Sequence, residues 1–156
     1  ESKRESSARV SGAPMPDRDI LLAKIAAIER CLKRIRETTG GDPASLEELD
    51  KQDIFVLNLQ RAIQAAIDLA AHIVAADKLG LPETVRGNFT LLRDASVIST
   101  ELGRKMEAMV GFRNIAIHNY QALDPEIMKA ILQERLPDLE DFSAAILTMA
   151  INKYET

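Results

Sequence analysis

The large apolar residues of this chain recur at intervals of three and four, and this spacing most constrains its fold. An α-helix turns once in about 3.6 residues, so residues at these intervals share one side of a helix. No stretch alternates apolar and polar residues at every second position, as a half-buried β-strand does. The first helical face comprises Ile20, Leu21, Lys24, Ile25, Ile28, Leu32 and Ile35. The chain is therefore predicted to be all-α.

Residues that start or stop helices divide the chain into about five to six predicted helices. Gly40 and Gly41 end the first helix, because glycine adopts the left-handed conformation at little steric cost. Ser45 and Glu48 have the spacing of a capping box that opens a short helical piece. The other predicted helices cover approximately residues 17–38, 52–79, 83–95, 99–120 and 125–154, with a kink or a division at Pro137. The helix at 52–79 is apolar around much of its circumference and is expected at the centre.

Composition and charge exclude several classes of protein. The single cysteine, Cys31, cannot form a disulfide within the chain, so a reducing cytoplasmic setting is expected. No apolar run approaches the roughly 20 residues that span a bilayer, and no membrane association is expected. The net charge of −4 argues against broad, nonspecific affinity for nucleic acids. Residues 1–16 are predicted to be a flexible tail in which Met15 resembles a native start behind an added extension, which leaves residues 17–156 as the domain.

The residues best suited to chemistry form the stretch Arg113-Asn114-Ile115-Ala116-Ile117-His118-Asn119-Tyr120. Arg113 and His118 lie about 140° apart on a helix, and a long arginine can still meet the imidazole at the helix edge. A guanidinium binds phosphate oxygens, and an imidazole transfers protons near neutral pH. The same side chains could instead pair with neighbouring carboxylates at a helix end, so the stretch alone leaves both interpretations open.

The pattern Arg-x-x-x-x-His-x-Tyr, complete here from Arg113 to Tyr120, resembles the motif of HepT-like toxins of the HEPN superfamily. The flanking segments that share this resemblance are residues 55–64, 68–73, 81–84 and 109–114. The similarity extends over roughly residues 17–150. One difference is Asn119, at a position where acidic residues are expected to be common in the family.

This resemblance implies a HEPN-type antiparallel helical bundle and a homodimer in which two motifs face each other. It implies an endoribonuclease toxin that acts on RNA without a metal or another cofactor. His118 would be the general base or acid, Arg113 would stabilise the charge on the phosphorane, and Asn114 would orient the imidazole or contact phosphate. An MNT-type nucleotidyltransferase antitoxin would attach AMP to Tyr120. The alternatives are a non-catalytic HEPN module that binds a nucleotide or partner protein, and a purely structural helical dimer.

Two other groups of residues are candidate sites. Asp68 and His72 lie four residues apart on the central helix, where two ligands are too few for a metal site. A histidine oriented by an aspartate is the favoured interpretation. Met106, Met109 and Phe112 are predicted to belong to the core or to a dimer interface rather than to a ligand site.

Overall fold

The computed structural model describes residues 14–154, and every regular element within this range is helical. Residues 1–13 of the predicted tail and residues 155–156 lie outside the described residues. The helices are α1 (Pro14–Thr39), α2 (Leu49–Ala76), α3 (Val85–Asp94), α4 (Thr100–His118), α5 (Pro125–Ala130) and α6 (Leu136–Tyr154). Short 3-10 turns occupy Pro43–Glu47 and Tyr120–Ala122, and a π-helical turn, Ile131–Arg135, joins α5 to α6. The prediction of an all-α bundle with five to six helices is confirmed.

Helix α2 is the centre of the bundle, as its apolar circumference predicts. It packs against α1, α3, α4 and α6, and the short connection from α1 makes these two helices an antiparallel hairpin. By length and composition α2 could also cross a membrane, but 61% of its apolar window is buried inside the fold. That burial is typical of the central helix of a bundle.

The core between the helices consists mainly of aliphatic side chains with a few aromatic contacts. Ile28, Leu32 and Ile35 of α1 are fully buried, as the helical spacing predicts. Ile20, predicted on the same face, is 41% exposed, whereas its neighbour Leu21 is buried, so Ile20 lies at the margin of the buried face. Phe89 of α3 meets Phe142 of α6 edge to face, with ring centroids 5.5 Å apart. This geometry is favourable because the positive edge of one ring faces the negative face of the other.

The first half of the chain differs from the prediction at several helix ends, and α2 begins at Leu49 rather than Gln52. Helix α1 begins at Pro14 rather than Asp17, because proline is tolerated in the first turn of a helix. The predicted capping box is wrong: the carboxylate of Asp42 accepts the N–H of Ala44 and begins a 3-10 turn. Helix α2 ends at Ala76 rather than Leu79, and the residue after it in the left-handed conformation is Lys78, at φ 54°.

The second half of the chain follows the predicted starting residues more closely. Ser99 caps α4 by accepting the N–H of Leu102, and Asp124 caps α5 by accepting the N–H of Glu126. Helix α4 ends at His118, two residues earlier than predicted. The predicted kink or division at Pro137 is found as a π-helical turn between α5 and α6, after which α6 begins at Leu136. This turn ends at Arg135, two residues before Pro137, and accommodates a proline ring that lacks an N–H and crowds the preceding turn.

Candidate functional site

Helix α4 orients the Arg113–Tyr120 motif by burying its opposite side in the core. Its buried residues are Gly103, Met106, Met109, Val110, Phe112 and Ala116. This confirms the prediction that the methionines and Phe112 are core residues. Arg113 is half-buried at the edge of this face, whereas Asn114 and His118 are exposed. The two candidate catalytic residues therefore remain accessible from solvent, as a nuclease site requires.

Two acceptors hold the guanidinium of Arg113. Its Nε donates to Oε1 of Gln64 on α2 over 3.1 Å, and its Nη1 donates to Oδ1 of Asn114 over 2.7 Å. Both acceptors are neutral amides, so neither cancels the positive charge. Nη2 makes no hydrogen bond within residues 14–154 and still has two N–H groups to offer. Asn114 thus contacts Arg113, whereas the resemblance implied a contact with the imidazole or with phosphate.

His118 is the last residue of α4, and its imidazole is exposed without a hydrogen-bond partner in the described part of the chain. Asn119 follows it with φ −152° and ψ 65°, and its N–H still donates to the carbonyl of Ile115. The ring is therefore carried on a well-formed helix end. Its orientation is left open for a substrate or a second subunit to determine.

Tyr120 lies in the 3-10 turn after α4, so the helical alignment that would place it over Arg113 does not exist. The seven-residue spacing predicts a shared face only if the helix continues, and the helix stops at His118. The hydroxyl of Tyr120 instead donates to Oδ1 of Asp53 on α2 over 2.6 Å. This hydrogen bond, followed by partial burial and the negative charge of Asp53, raises the pKa of Tyr120 to about 12.

His72 is oriented by an aspartate, as expected, but the partner is Asp17 rather than Asp68. His72 contacts Asp17 of α1, with Nε2 3.2 Å from Oδ1. Asp68 turns to other partners: it accepts from Gln64 over 2.9 Å and from Lys24 over 3.2 Å. No group of three or more His, Cys, Asp or Glu side chains suited to a metal ion occurs in the part of the chain that is described.

An open apolar groove of about 340 Å³ runs beside the motif, between α4, α5 and the π-helical turn. Its lining includes Met109, Phe112, Ile115, Ile127 and Ile131. Ile115 and Ile127 are 44% and 49% exposed. The helical spacing of the apolar residues in 99–120 predicts Ile115 and Ile117 on the apolar face of this helix, but within the described residues the two side chains are 44% and 49% exposed.

At one end of this groove, charged residues replace the apolar lining. Asp138 is 3% exposed and lies 3.8 Å from Lys105 and 3.6 Å from Arg135. Burial raises the pKa of the Asp138 carboxyl, and the charges of Arg135 and Lys105 partly oppose that increase. The groove thus combines an apolar floor with a compact charged end.

Comparison with known proteins identifies the family. Residues 28–146 match the family described as Ribonuclease HepT-like. The chain belongs to this family.

Named relatives of this HepT-like chain include two nucleases. It is 42% identical over 124 residues to the mRNA nuclease HepT of Shewanella oneidensis, covering 80% of this chain and 93% of the relative. It is 32% identical over 80 residues to the tRNA nuclease HepT of Aphanizomenon flos-aquae, covering 51% of this chain and 54% of the relative. According to their names, one relative cleaves mRNA and the other cleaves tRNA.

Solved structures similar to this HepT-like chain include complexes of a toxin with its antitoxin. One contains a tri-AMPylated HEPN toxin of Shewanella oneidensis bound to an MNT antitoxin. The chain superposes on it with a TM-score of 0.79 and 41% identity, covering 83% of this chain and 98% of that chain. A toxin–antitoxin crystal structure with AMP-PNP gives the same TM-score at 40% identity and the same coverage.

Sequence reasoning missed two residues of α2 that contact the motif of this HepT-like chain, Asp53 and Gln64. A signal for both was present. Five of the polar residues of this largely apolar helix follow one another at spacings of seven and four, namely Asp53, Gln60, Gln64, Asp68 and His72. Such spacing places them near one side of α2. A polar stripe on a central helix indicates contact with polar groups of its neighbours, because buried polar atoms require partners.

Proposed function

We propose that this chain is the toxin of a HEPN–MNT pair, an endoribonuclease that cleaves mRNA or tRNA and needs no metal. The observation that supports this most is the arrangement at the end of α4. A half-buried Arg113 is held by neutral acceptors, and an exposed His118 follows one turn later on the same helix. The chain that carries this pair is similar along most of its length to a named mRNA nuclease.

The chemistry of RNA explains how so few groups suffice. The 2′-hydroxyl attacks the adjacent phosphorus while an imidazole takes its proton, and the bond to the 5′-oxygen breaks as a second proton donor protonates that oxygen. The products carry a 2′,3′-cyclic phosphate and a 5′-hydroxyl. His118 serves as the proton-transfer group, and Arg113 stabilises the extra negative charge of the phosphorane through Nη2. Because the nucleophile belongs to the substrate, no metal is required to activate water.

A homodimer supplies the second proton donor. The open groove beside α4 has an apolar floor that includes Ile115 and Ile127, and one half-exposed isoleucine lies on each of two helices. A two-fold axis near the end of α4 would pack this floor against its copy and bring the two His118 residues together. An isologous interface duplicates the site without any additional sequence, because each subunit offers the same patch.

An MNT-type antitoxin neutralises the toxin by transferring AMP to Tyr120. The hydroxyl of Tyr120 attacks the α-phosphate of ATP, loses its proton and releases pyrophosphate, which leaves a phosphodiester of charge about −1 near the site. Tyr120 is 44% exposed and lies two residues from His118. The bulky adenosine and the added negative charge would oppose the approach of RNA. A related toxin is described as tri-AMPylated in its complex with an MNT antitoxin.

The test is cleavage of tRNA and mRNA by the purified chain in excess EDTA. We expect the parent to remain active in chelator and to leave 2′,3′-cyclic phosphate ends. His118→Ala should lower the rate by about 10²- to 10⁴-fold, the usual contribution of an acid–base group. His72→Ala is the matched control, because His72 contacts Asp17 on α1 and should leave the rate unchanged.

The same assay separates the alternatives. Activity that disappears in EDTA and returns with a divalent ion would refute metal independence. Equal activity of His118→Ala and the parent would remove His118 from the mechanism. A parent that binds RNA or nucleotide but cleaves neither RNA class would support the non-catalytic HEPN module instead.

A further inference from the structure

We propose that Gln64 and Asp68 of α2 are positioning residues that set the orientation of the Arg113 guanidinium for the scissile phosphate. This inference rests on the proposed ribonuclease function. It concerns residues outside the Arg113–Tyr120 motif, on a different helix. Neither residue touches the substrate in this proposal, and both act through Arg113.

A continuous series of hydrogen bonds runs from α1 through α2 to α4. Lys24 of α1 donates to Oδ2 of Asp68 over 3.2 Å, and Nε2 of Gln64 donates to Oδ1 of Asp68 over 2.9 Å. Gln64 then accepts from Nε of Arg113 through Oε1 over 3.1 Å. Each contact joins a donor to an acceptor at normal distance. The series therefore ties the candidate catalytic arginine to two helices that do not contain it.

Asp68 determines which way the amide of Gln64 points. A carboxylate only accepts hydrogen bonds, so the NH2 group of Gln64 must face Asp68 and its carbonyl must face away. That carbonyl then meets Arg113, which only donates. The reversed amide would place NH2 against the guanidinium and an oxygen against the carboxylate. The chemistry of the two neighbours therefore permits a single orientation of Gln64 and fixes one edge of Arg113.

The series also keeps Arg113 charged and available. Gln64 satisfies Nε with a neutral oxygen, whereas a carboxylate at that position would pair with the guanidinium and compete with phosphate for it. Asp68 lies one hydrogen bond further from Arg113 than Gln64 does, and its negative charge is paired with Lys24. Asn114 holds Nη1 from the other side. The Nη2 group remains for the phosphate, in a direction that two contacts define.

The first experiment compares Gln64→Met with Gln60→Met in the full-length toxin. Methionine removes the carbonyl but keeps approximately the length of the side chain. Gln60 lies one turn earlier on α2 and has no hydrogen bond within residues 14–154, so its variant is the matched control. We expect Gln64→Met to lower kcat by about 10- to 100-fold, as small displacements of catalytic groups do. KM should change little, the pH profile should keep its shape, and both variants should retain the parent's Tm.

The second experiment tests the order of the series. Asp68→Ala should lower kcat less than Gln64→Met, because the amide of Gln64 can still meet Arg113 for part of the time. Lys24→Met should have the smallest effect on kcat, because the side chains of Lys24 and Asp68 are each 40% exposed and water screens their charges. A loss of kcat that simply follows a fall in Tm across the three variants would overturn the proposal in favour of a role in folding stability.

A third measurement reports on the geometry without requiring cleavage. The ¹⁵N–¹H signal of Arg113 Nε, assigned by its disappearance in Arg113→Lys, should shift and exchange faster with solvent in Gln64→Met and Asp68→Ala. It should be unchanged in Gln60→Met. If the Arg113 Nε signal is the same in Gln64→Met as in the parent, the proposal is refuted, even if the parent cleaves RNA. A signal that depends on Gln64 in a parent that cleaves no RNA refutes the proposed function and leaves the hydrogen-bond series standing.

Discussion

The two ends of the Arg113–Tyr120 motif are held by α2, whereas the residues between them are not. Gln64 accepts from Arg113 at one end, and Asp53 accepts from Tyr120 at the other. Between them, Ile115, Ile117 and His118 face outward, and the imidazole has no partner in the described residues. The described chain thus orients Arg113, proposed to bind phosphate, and Tyr120, proposed to be modified, but it does not orient the imidazole proposed to transfer protons.

This difference shows which part of the site a single chain completes. A group that binds charge must be oriented before the substrate arrives, since its value lies in preorganisation. A group that transfers protons needs a partner that holds its ring, and the apolar groove beside α4 includes Ile115, which lies in the same last turn as His118. We therefore expect the unheld middle of the motif to be completed by the second subunit.

The largest predicted loss of RNA cleavage comes from preventing the second subunit from packing against the groove. Ile127→Glu places a charge on the apolar floor of the groove, on a side chain that is 49% exposed in one chain and so is not needed for its fold. We expect the variant to sediment as a monomer with an unchanged helical content. RNA cleavage should fall about as far as in His118→Ala, on the order of 100-fold or more.

Ile20→Glu is the control for this experiment, because Ile20 is similarly exposed at 41% but lies on α1, away from the groove. It should remain dimeric and active. A monomeric Ile127→Glu that cleaves RNA at the parent's rate would show that one chain completes the site by itself. The contacts of α2 with the two ends of the motif, and their absence in its middle, would then have no functional meaning.

The fold could be predicted from sequence because each helix carries local signals. Helical spacing indicates the all-α class, and the helices predicted to begin at residues 99 and 125 begin at Thr100 and Pro125 in the structure. The local signals did not reveal where α4 stops, because no glycine or proline lies between Ile115 and Tyr120. That single boundary changed the partner of Tyr120 from Arg113 to Asp53.

The site could be predicted only as far as its residues lie on one helix. Arg113 and His118 could be proposed together from the sequence because they share α4 and a recognisable motif. Gln64 and Asp53 belong to α2, and their pairing with the motif depends on how α2 packs against α4, which spacing within one helix does not determine. The exposure of Ile115 and Ile117 was missed for a related reason. An apolar face predicts burial, but it does not say whether the same chain or another copy covers it.

A substitution of Tyr120, whose hydroxyl donates to Asp53, is expected to change catalysis little but to abolish neutralisation by the antitoxin. Tyr120→Phe should keep the parent's ribonuclease activity, because the phenol of Tyr120 stays protonated at working pH and is not used for proton transfer. It should escape AMP transfer by the MNT antitoxin. Intact-mass spectrometry after incubation with antitoxin and ATP measures the modification, and growth arrest on co-expression measures the consequence.

The other tyrosine, Tyr154, provides the control for this prediction. Tyr154→Phe should be modified and silenced like the parent, because Tyr154 lies at the end of α6, outside the motif. A Tyr120→Phe variant that is still fully silenced by the antitoxin would assign neutralisation to tight binding rather than to covalent modification.

The smallest predicted effect isolates the contact between Tyr120 and Asp53. The pKa of Tyr120 is raised to about 12 mainly because its hydroxyl donates to a carboxylate, so Asp53→Asn should return that pKa toward its ordinary value of about 10. The folded state holds this proton more tightly than the unfolded state does. The contact therefore stabilises the fold below about pH 10, and this stabilisation is lost as the pH rises toward 12. Ultraviolet titration of tyrosinate in the Tyr154→Phe background measures the pKa, and melting temperatures at pH 9 to 12 (about three pH units) measure the linkage. If Asp53→Asn leaves both unchanged, α2 does not hold Tyr120 in solution, and only the Arg113 end of the motif is fixed by the chain itself.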